Sequence, residues 1–328
     1  MTRAPAHAGS LRLTERLAFV MMFTAMAAFV VGLSVLAAKT GVGSDLPLVG
    51  SSAPTEQVGS GQGQSQACPS SKDVVAGRAT RGRPSRPSAA LNSRLAAALR
   101  AALGSNRAHL SAGVIDTGTG AEALYHAGEH YHAAGVAGAD ILAALLYRHQ
   151  HSGAQLGNQD SRLAAKMIEN GSRTAAASLW QAIGRGAGLE TANRALGLRH
   201  TIPGTGSAWR QTSTTAADQL QLLASLATTR SALDPVCRHY ELSLMSHVAA
   251  SQRWGVPPAA SQDTSYAVND GWQADPRRFV VNSIGLIDHG GQELLVVVLS
   301  QNWSTRAAGI SGVRAAAMAA VRAMPRTS

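Results

Sequence analysis

An uncharged apolar run, Leu17–Ala38, constrains this chain more than any other sequence feature. Its 22 residues would form a helix of roughly 33 Å at about 1.5 Å per residue, enough to cross the hydrocarbon core of a bilayer. Arg3, Arg12 and Arg16 precede the run, and the positive-inside rule therefore places the N-terminus in the cytoplasm. The sequence thus predicts a single-pass protein of the cell membrane whose remaining chain is extracytoplasmic.

A cleaved signal peptide is the alternative interpretation of the same run. Val35, Leu36 and Ala37 provide a small-residue cleavage site, although the apolar region of a signal peptide is usually shorter, about 7–15 residues. In the anchored form residues 1–16 are a cytoplasmic tail and residues 17–38 the transmembrane helix. In the secreted form both are removed.

Residues 39–87 are predicted to be a disordered spacer. Segments such as GSGQGQSQ and RATRGRPSRPS are rich in Gly, Ser, Gln, Arg and Pro, and this composition buries too little apolar surface to offset the backbone entropy lost on folding. Residues 88–326 are then predicted to be one folded domain, which is an ordinary domain size.

Charge and cysteine content exclude several classes of protein. The net charge is +10, but the arginines are scattered and no basic stripe alternates with aromatic residues, so no nucleic-acid partner is predicted. Cys68 and Cys237 form no C-x-x-C pair, which excludes a zinc ribbon or a thioredoxin-type site. A disulfide and two free thiols both remain possible at this stage.

Local patterns predict an α+β fold with its strands at both ends of the domain. Leu91, Leu95, Leu99 and Leu103 recur every four residues, which predicts a helix between Ser88 as N-cap and Gly104 as its end; a β-hairpin follows around the turn DTGTG. Predicted helices fill the middle of the domain, at residues 140–150, 161–170, 174–184 and 215–227.

The C-terminal part contains a second predicted hairpin and a last helix. The runs RFVVNSIGLID and ELLVVVLS flank His289–Gln292, and an apolar stripe from Ile310 to Met324 marks the helix. Strands from both chain ends would form one antiparallel sheet, with the two terminal helices on one face and the helical segments as a cover or a second lobe.

Several blocks of sequence, in this order, resemble the class A β-lactamase-like, penicillin-recognising serine hydrolases. The blocks are ADILAALLY (139–147), MIEN (167–170), AAASLWQAIG (175–184), LGLRHTIPG (196–204), TTAADQLQLL (214–223), NDGW (269–272) and VVNSIG (280–285). The resemblance covers roughly Leu91 to Met324 and is strongest to short actinobacterial members. It implies the β-lactamase/DD-peptidase fold.

The resemblance also locates the family's nucleophile and base, and neither is present. In the S-x-x-K motif, serine attacks a carbonyl carbon and lysine helps to remove its proton. The following ADILAALL text places these two positions at Gly135 and Gly138. No acyl-enzyme can form on a glycine.

The second and third motifs are also degenerate. The S-D-N motif falls on Gly171, Ser172 and Arg173, and the K-T-G motif falls on the run Asn269–Gly271, in which Asp270 takes the middle position. Of the chain's three lysines, Lys39, Lys72 and Lys166, none lies at a motif position.

The sequence therefore predicts an inactive pseudoenzyme of the cell envelope that binds a cell-wall peptide, a β-lactam or a protein partner. Two alternatives stay open: an active serine hydrolase of the β-lactamase or DD-peptidase type that uses another serine, such as Ser172, and a structural envelope protein without a ligand. Candidate binding residues are Ser172, Trp209, Asn269 and Trp272. No cofactor is predicted.

No metal site is predicted either. A histidine-rich stretch at His126, Glu129, His130 and His132 lacks the helical H-E-x-x-H pattern and an obvious third ligand.

Overall fold

The computed structural model describes residues 68–69, 86–276 and 278–326. The predicted tail and membrane segment (1–38) and nearly all of the predicted spacer lie outside the described residues. None of the helices within the described ranges is long and apolar enough to cross a membrane.

The N-terminal helix is confirmed with both of its predicted ends. Helix α1 (Ala89–Leu103) begins after Ser88, whose hydroxyl accepts a hydrogen bond from the Leu91 amide, and ends at Gly104. Leu95 and Leu99 are fully buried, because the four-residue spacing places the leucines on one face. The fold starts slightly earlier than predicted, since Arg86–Pro87 forms the short strand β1 rather than spacer.

Within the described residues, six strands form one sheet, in the spatial order β1-β3-β2-β8-β7-β6. The pairs are antiparallel, except for β1 with β3. At its centre Val296 of β8 lies opposite Val114 of β2 on one side and Gly285 of β7 on the other. The strand bounds are Leu110–Asp116 (β2), Ala121–Tyr125 (β3), Tyr266–Asp275 (β6), Arg278–His289 (β7) and Gln292–Ser300 (β8).

The terminal helices α1 and α8 (Arg306–Ala323) pack together and against the sheet, as predicted. Helix α6 (Ala216–Ala227) also packs against the sheet, on strands β2, β7 and β8, and begins after Thr215, whose hydroxyl caps the Asp218 amide. The fold is the predicted α+β arrangement of the β-lactamase/DD-peptidase type.

The helical segments in the middle are more numerous than predicted. Helices α2, α3 and α4 have the bounds Ala137–Ser152, Asn158–Asn170 and Arg173–Ala182, and two further helices, α5 (Arg185–Leu196) and α7 (Pro235–Ser246), were not predicted. A two-stranded sheet joins β4 (Tyr131–His132) to β5 (Ser213–Thr214).

The two cysteines form a disulfide, which was one of the two alternatives open from the sequence. Cys68 is bonded to Cys237 in α7, with their Cα atoms 5.1 Å apart. Both side chains are buried. This part of the predicted spacer is therefore fixed to the folded domain.

Candidate functional site

A cavity of about 320 Å³ lies where the start of α2, the α3–α4 junction, strand β6 and the start of α8 meet. It brings together every residue that the sequence singled out at the three motifs and as candidate binding residues: Gly135, Gly138, Gly171, Ser172, Arg173, Trp209, Asn269, Asp270, Gly271 and Trp272.

At the nucleophile position the strand backbone fills the place of a side chain. A Cβ atom built on Gly135 would lie 2.7 Å from the Gly271 Cα and 3.2 Å from the Asp270 carbonyl oxygen. A Cβ on Gly271 would in turn lie 2.4 Å from the Val136 nitrogen. Ala134, just before this contact, has a left-handed backbone with φ of 51°, which is costly for a residue with a Cβ. The two glycines thus permit a close approach of helix and strand that a serine would prevent.

The position of the family lysine is less crowded. A Cβ on Gly138 would lie 3.4 Å from the Asn269 Nδ2 and 3.6 Å from atoms of Met167 and Ile168, which are ordinary contacts. Asn269 stands where the third motif has its lysine. Its amide donates a 3.5 Å hydrogen bond to the Val136 carbonyl and so ties β6 to the start of α2.

The S-D-N positions form a helix-to-helix junction. Gly171 ends α3 in the left-handed conformation, with φ of 64°. The Ser172 hydroxyl then accepts a hydrogen bond from the Ala175 amide at 3.3 Å and caps α4. This is the usual structural role of serine at a helix start.

The Asp270 carboxylate is held inside the fold. It accepts hydrogen bonds from the Trp254 amide at 2.8 Å, from the Gly255 amide at 3.0 Å and from the Ser283 hydroxyl. Burial raises the pKa of Asp270 to about 6, because the charged form loses its hydration.

Three arginines surround Trp272 at the cavity. The guanidinium carbons of Arg306 and Arg173 lie 4.4 and 5.6 Å from the centre of the indole ring, within the range of cation–π contacts. Arg210 donates a hydrogen bond of 2.6 Å to the Trp272 carbonyl oxygen. Burial, and secondarily the charge of Arg173, lowers the pKa of Arg210.

Arg210 and Arg306 were not predicted from the sequence, since neither belongs to a motif. The third motif has no cation of its own, and in the structure Arg173, Arg210 and Arg306 bring cations to the same cavity from other elements. The Thr305 cap before Arg306 was a readable helix-start signal, but nothing local indicates that this start faces the cavity.

The described residues lining the cavity include the hydroxyls of Ser172 and Ser251 but no histidine, lysine or glutamate. Lys166 is exposed on α3 and outside the lining. Side chains of the histidine-rich stretch contact nearby polar side chains: His126 contacts Glu129 at 3.4 Å, and His130 contacts Ser213 at 3.1 Å. Nowhere in the part of the chain that the structure describes do three potential metal ligands converge.

The fold and the cavity define a protein of the α+β class with the β-lactamase arrangement of sheet and helices, and comparison with known families agrees. The family model described as "Beta-lactamase enzyme family" matches residues 150–324, more than half of the 328 residues. The chain therefore belongs to the β-lactamase enzyme family. No protein of curated function matches the chain by sequence.

Solved structures show the same fold at low sequence identity. PBP-A superposes with a TM-score of 0.62 at 18% identity, covering 74% of this chain and 98% of PBP-A. A class A β-lactamase from Mycobacterium abscessus gives 0.60 at 18% identity, covering 71% of this chain and 98% of that one. The ancestral (GNCA) class A β-lactamase gives 0.57 at 20% identity, with 71% and 100% covered.

Proposed function

We propose that this protein is a non-catalytic member of the β-lactamase family that binds its ligand reversibly in the cavity described above. The contact between Gly135 and Gly271 carries the proposal. Covalent catalysis needs a nucleophile at the start of α2, and here the strand backbone lies 2.7 Å from where even a Cβ would be. The site therefore lacks both the reacting atom and the space for it.

The alternative nucleophile, Ser172, is poorly placed for catalysis. Its oxygen already accepts the Ala175 amide proton as a helix cap, and a serine hydroxyl is a weak nucleophile without an adjacent base. No histidine, lysine or glutamate lies among the described lining residues. These observations favour binding over hydrolysis.

Candidate ligands follow from the family. One structural relative, a PBP-A variant, has been solved as an acyl-enzyme complex with penicillin G. In this protein we propose that a β-lactam or a cell-wall peptide binds without acylation. A protein partner remains a further candidate.

A fluorescent penicillin tests the chemistry directly. The protein is expected to carry no label after denaturing electrophoresis and to hydrolyse nitrocefin no faster than buffer, while an active class A β-lactamase in parallel is positive in the turnover assay. A label that survives denaturation, and that Ser172→Ala abolishes, would establish the hydrolase instead.

Calorimetry with penicillin G and with an unreactive D-alanyl-D-alanine peptide tests binding. Saturable, reversible heat is expected for at least one of them. No binding of either, together with no label, would favour a structural envelope protein.

We further propose that residues 17–38 anchor the protein, with the folded domain outside the cytoplasm. Protease added to intact spheroplasts should then remove the domain. A protected domain would contradict this topology, and a mature chain beginning after Ala37 would indicate the secreted form.

A further inference from the structure

Three arginines, Arg173, Arg210 and Arg306, and one carboxylate, Asp270, are the charged residues among the described lining of the cavity. Arg173 is the first residue of α4 and Arg306 the first residue of α8, and neither helix has an acidic residue in its first turn. A helix start carries roughly half a positive charge, so a cation there is electrostatically unfavourable. Each helix start therefore adds to the positive electrostatic potential around its arginine.

These positive charges are not paired with acidic side chains in the described part of the chain. None of the three arginines forms a salt bridge with a described acidic residue. The Arg306 Nε is buried without a hydrogen-bond partner. Asp270 is the one carboxylate among the described residues that line the cavity, and it accepts its hydrogen bonds from two backbone amides and the Ser283 hydroxyl instead of from an arginine.

An uncompensated cluster of this kind is costly to the free protein. Arg210 shows this, because burial and the neighbouring Arg173 both lower its pKa. Charges brought together and partly desolvated repel one another more strongly than in water. An anion among them would remove the repulsion and satisfy the free guanidinium groups through charge-assisted hydrogen bonds.

We propose that the cavity binds a compact ligand with at least two negative charges, held by Arg173, Arg210 and Arg306 beside the ring of Trp272. This inference rests on the proposed function, because it takes the cavity as a reversible binding site, and it favours a ligand with more negative charge than penicillin G, which has one carboxylate. Two or more acidic groups are required because one monoanion leaves most of the cluster unpaired. A cavity of about 320 Å³ is at the small end of ligand sites, about 300–1,000 Å³, which favours a compact polyanion.

Titration calorimetry on the purified full-length protein tests this, with ionic strength held constant by potassium chloride. Citrate, inorganic pyrophosphate and acetate are the probes, so that carboxylate, phosphate and single-charge recognition are separated. Citrate or pyrophosphate should bind saturably and at least tenfold more tightly than acetate. Bound polyanion should also raise the melting temperature, as expected for a ligand of the folded state.

Three substitutions make the test specific. Arg173→Gln and Arg306→Gln should each weaken polyanion binding about tenfold, as expected for a lost charge-assisted hydrogen bond. Arg185→Gln is the matched control, because Arg185 is also the first residue of a helix, α5, but is exposed and outside the cavity. It should leave binding unchanged.

The inference is overturned if neither polyanion binds more tightly than acetate, or if Arg185→Gln weakens binding as much as Arg306→Gln. Its failure is distinguishable from failure of the proposed function. A covalent penicillin adduct would refute the non-catalytic function whatever the anions do. Missing polyanion binding without an adduct, and with penicillin G or the peptide still bound reversibly, would refute only the ligand class.

Discussion

Replacing two glycines near the start of α2 by alanine should have opposite effects on stability. At Gly135 the new Cβ would lie 2.7 Å from the Gly271 Cα and 3.2 Å from the Asp270 carbonyl oxygen. Carbon atoms prefer separations of about 3.5–4.0 Å, so helix or strand must move by roughly 1 Å. Both obstacles are backbone, which cannot rotate away, and overpacking of this kind costs about 1–3 kcal/mol.

Gly138→Ala is the matched control, three residues further along the chain and inside α2. Its Cβ would lie 3.4 Å or more from the side chains of Asn269, Met167 and Ile168, which can adjust. Alanine is favoured over glycine in a helix by about 0.8–1.0 kcal/mol. Gly138→Ala should therefore leave stability unchanged or raise it by up to about 1 kcal/mol.

Urea unfolding of the two variants and the parent measures the difference, which should be roughly 1–4 kcal/mol between identical substitutions. Backbone conformation does not confuse the comparison, since neither Gly135 nor Gly138 is among the described glycines with positive φ. If Gly135→Ala were as stable as the parent within about 0.5 kcal/mol, typical of neutral substitutions, the close approach would be wrong. The nucleophile position would then be open, and Gly135→Ser would deserve testing as a route to acylation.

Three further predictions concern other parts of the domain. Burial raises the pKa of Asp140 to about 7, and burial, followed by the charge of Asp140, raises the pKa of Glu241, so the folded state keeps protons that the unfolded chain loses. From Asp140 alone, the free energy of unfolding should fall by up to about 4 kcal/mol as the pH rises from about 4 to about 7. Asp140→Asn should flatten that curve in urea titrations at several pH values, and an unchanged slope would contradict the assignment. Reducing the bond between Cys68 and Cys237 should lower stability by roughly 2–4 kcal/mol, measured as a lower melting temperature in reductant that the Cys68→Ser, Cys237→Ser double variant reproduces without reductant. Ser172→Ala should cost about 0.5–2 kcal/mol through loss of the α4 cap and leave penicillin labelling absent, whereas gain or loss of any label would contradict a purely capping role.

Local signals account for the parts of the fold that the sequence predicted. The leucine stripe of α1, its Ser88 cap and the Gly-rich hairpin turns act over a few residues, so they can be read without tertiary information. Helix α7 was missed although Pro235 at its start is a helix-start signal. Arg238 and Glu241 are buried in it and interrupt the apolar stripe that predicts a helix.

The position of the cavity could be predicted from the sequence, but its backbone contact and its cluster of arginines could not. Family resemblance identified the motif positions, and the structure does bring Gly135 and Asn269 together although they are far apart in sequence. The family resemblance could not show that Gly135 and Gly271 are in contact, because a contact between backbones leaves no side-chain pattern in the sequence. Nor could the resemblance predict that Arg210 and Arg306 line the same cavity, since this depends on how the segment around Arg210 and the last helix pack.

The residues at the family's motif positions and the arginines that line the cavity differ in what they do for the fold, and this difference supports the proposed ligand. Gly171 ends one helix, Ser172 caps the next, and Asn269 ties strand to helix; each has a structural reason to be there. Arg173 and Arg306 have the opposite effect, since each places a cation at a helix start without an acidic partner. Neutral side chains would fit those two positions at a lower electrostatic cost. Such a charge cluster lowers the stability of the folded protein. This cost is explained if the protein uses the cluster to bind an anion, because binding sites are where proteins accept local destabilisation.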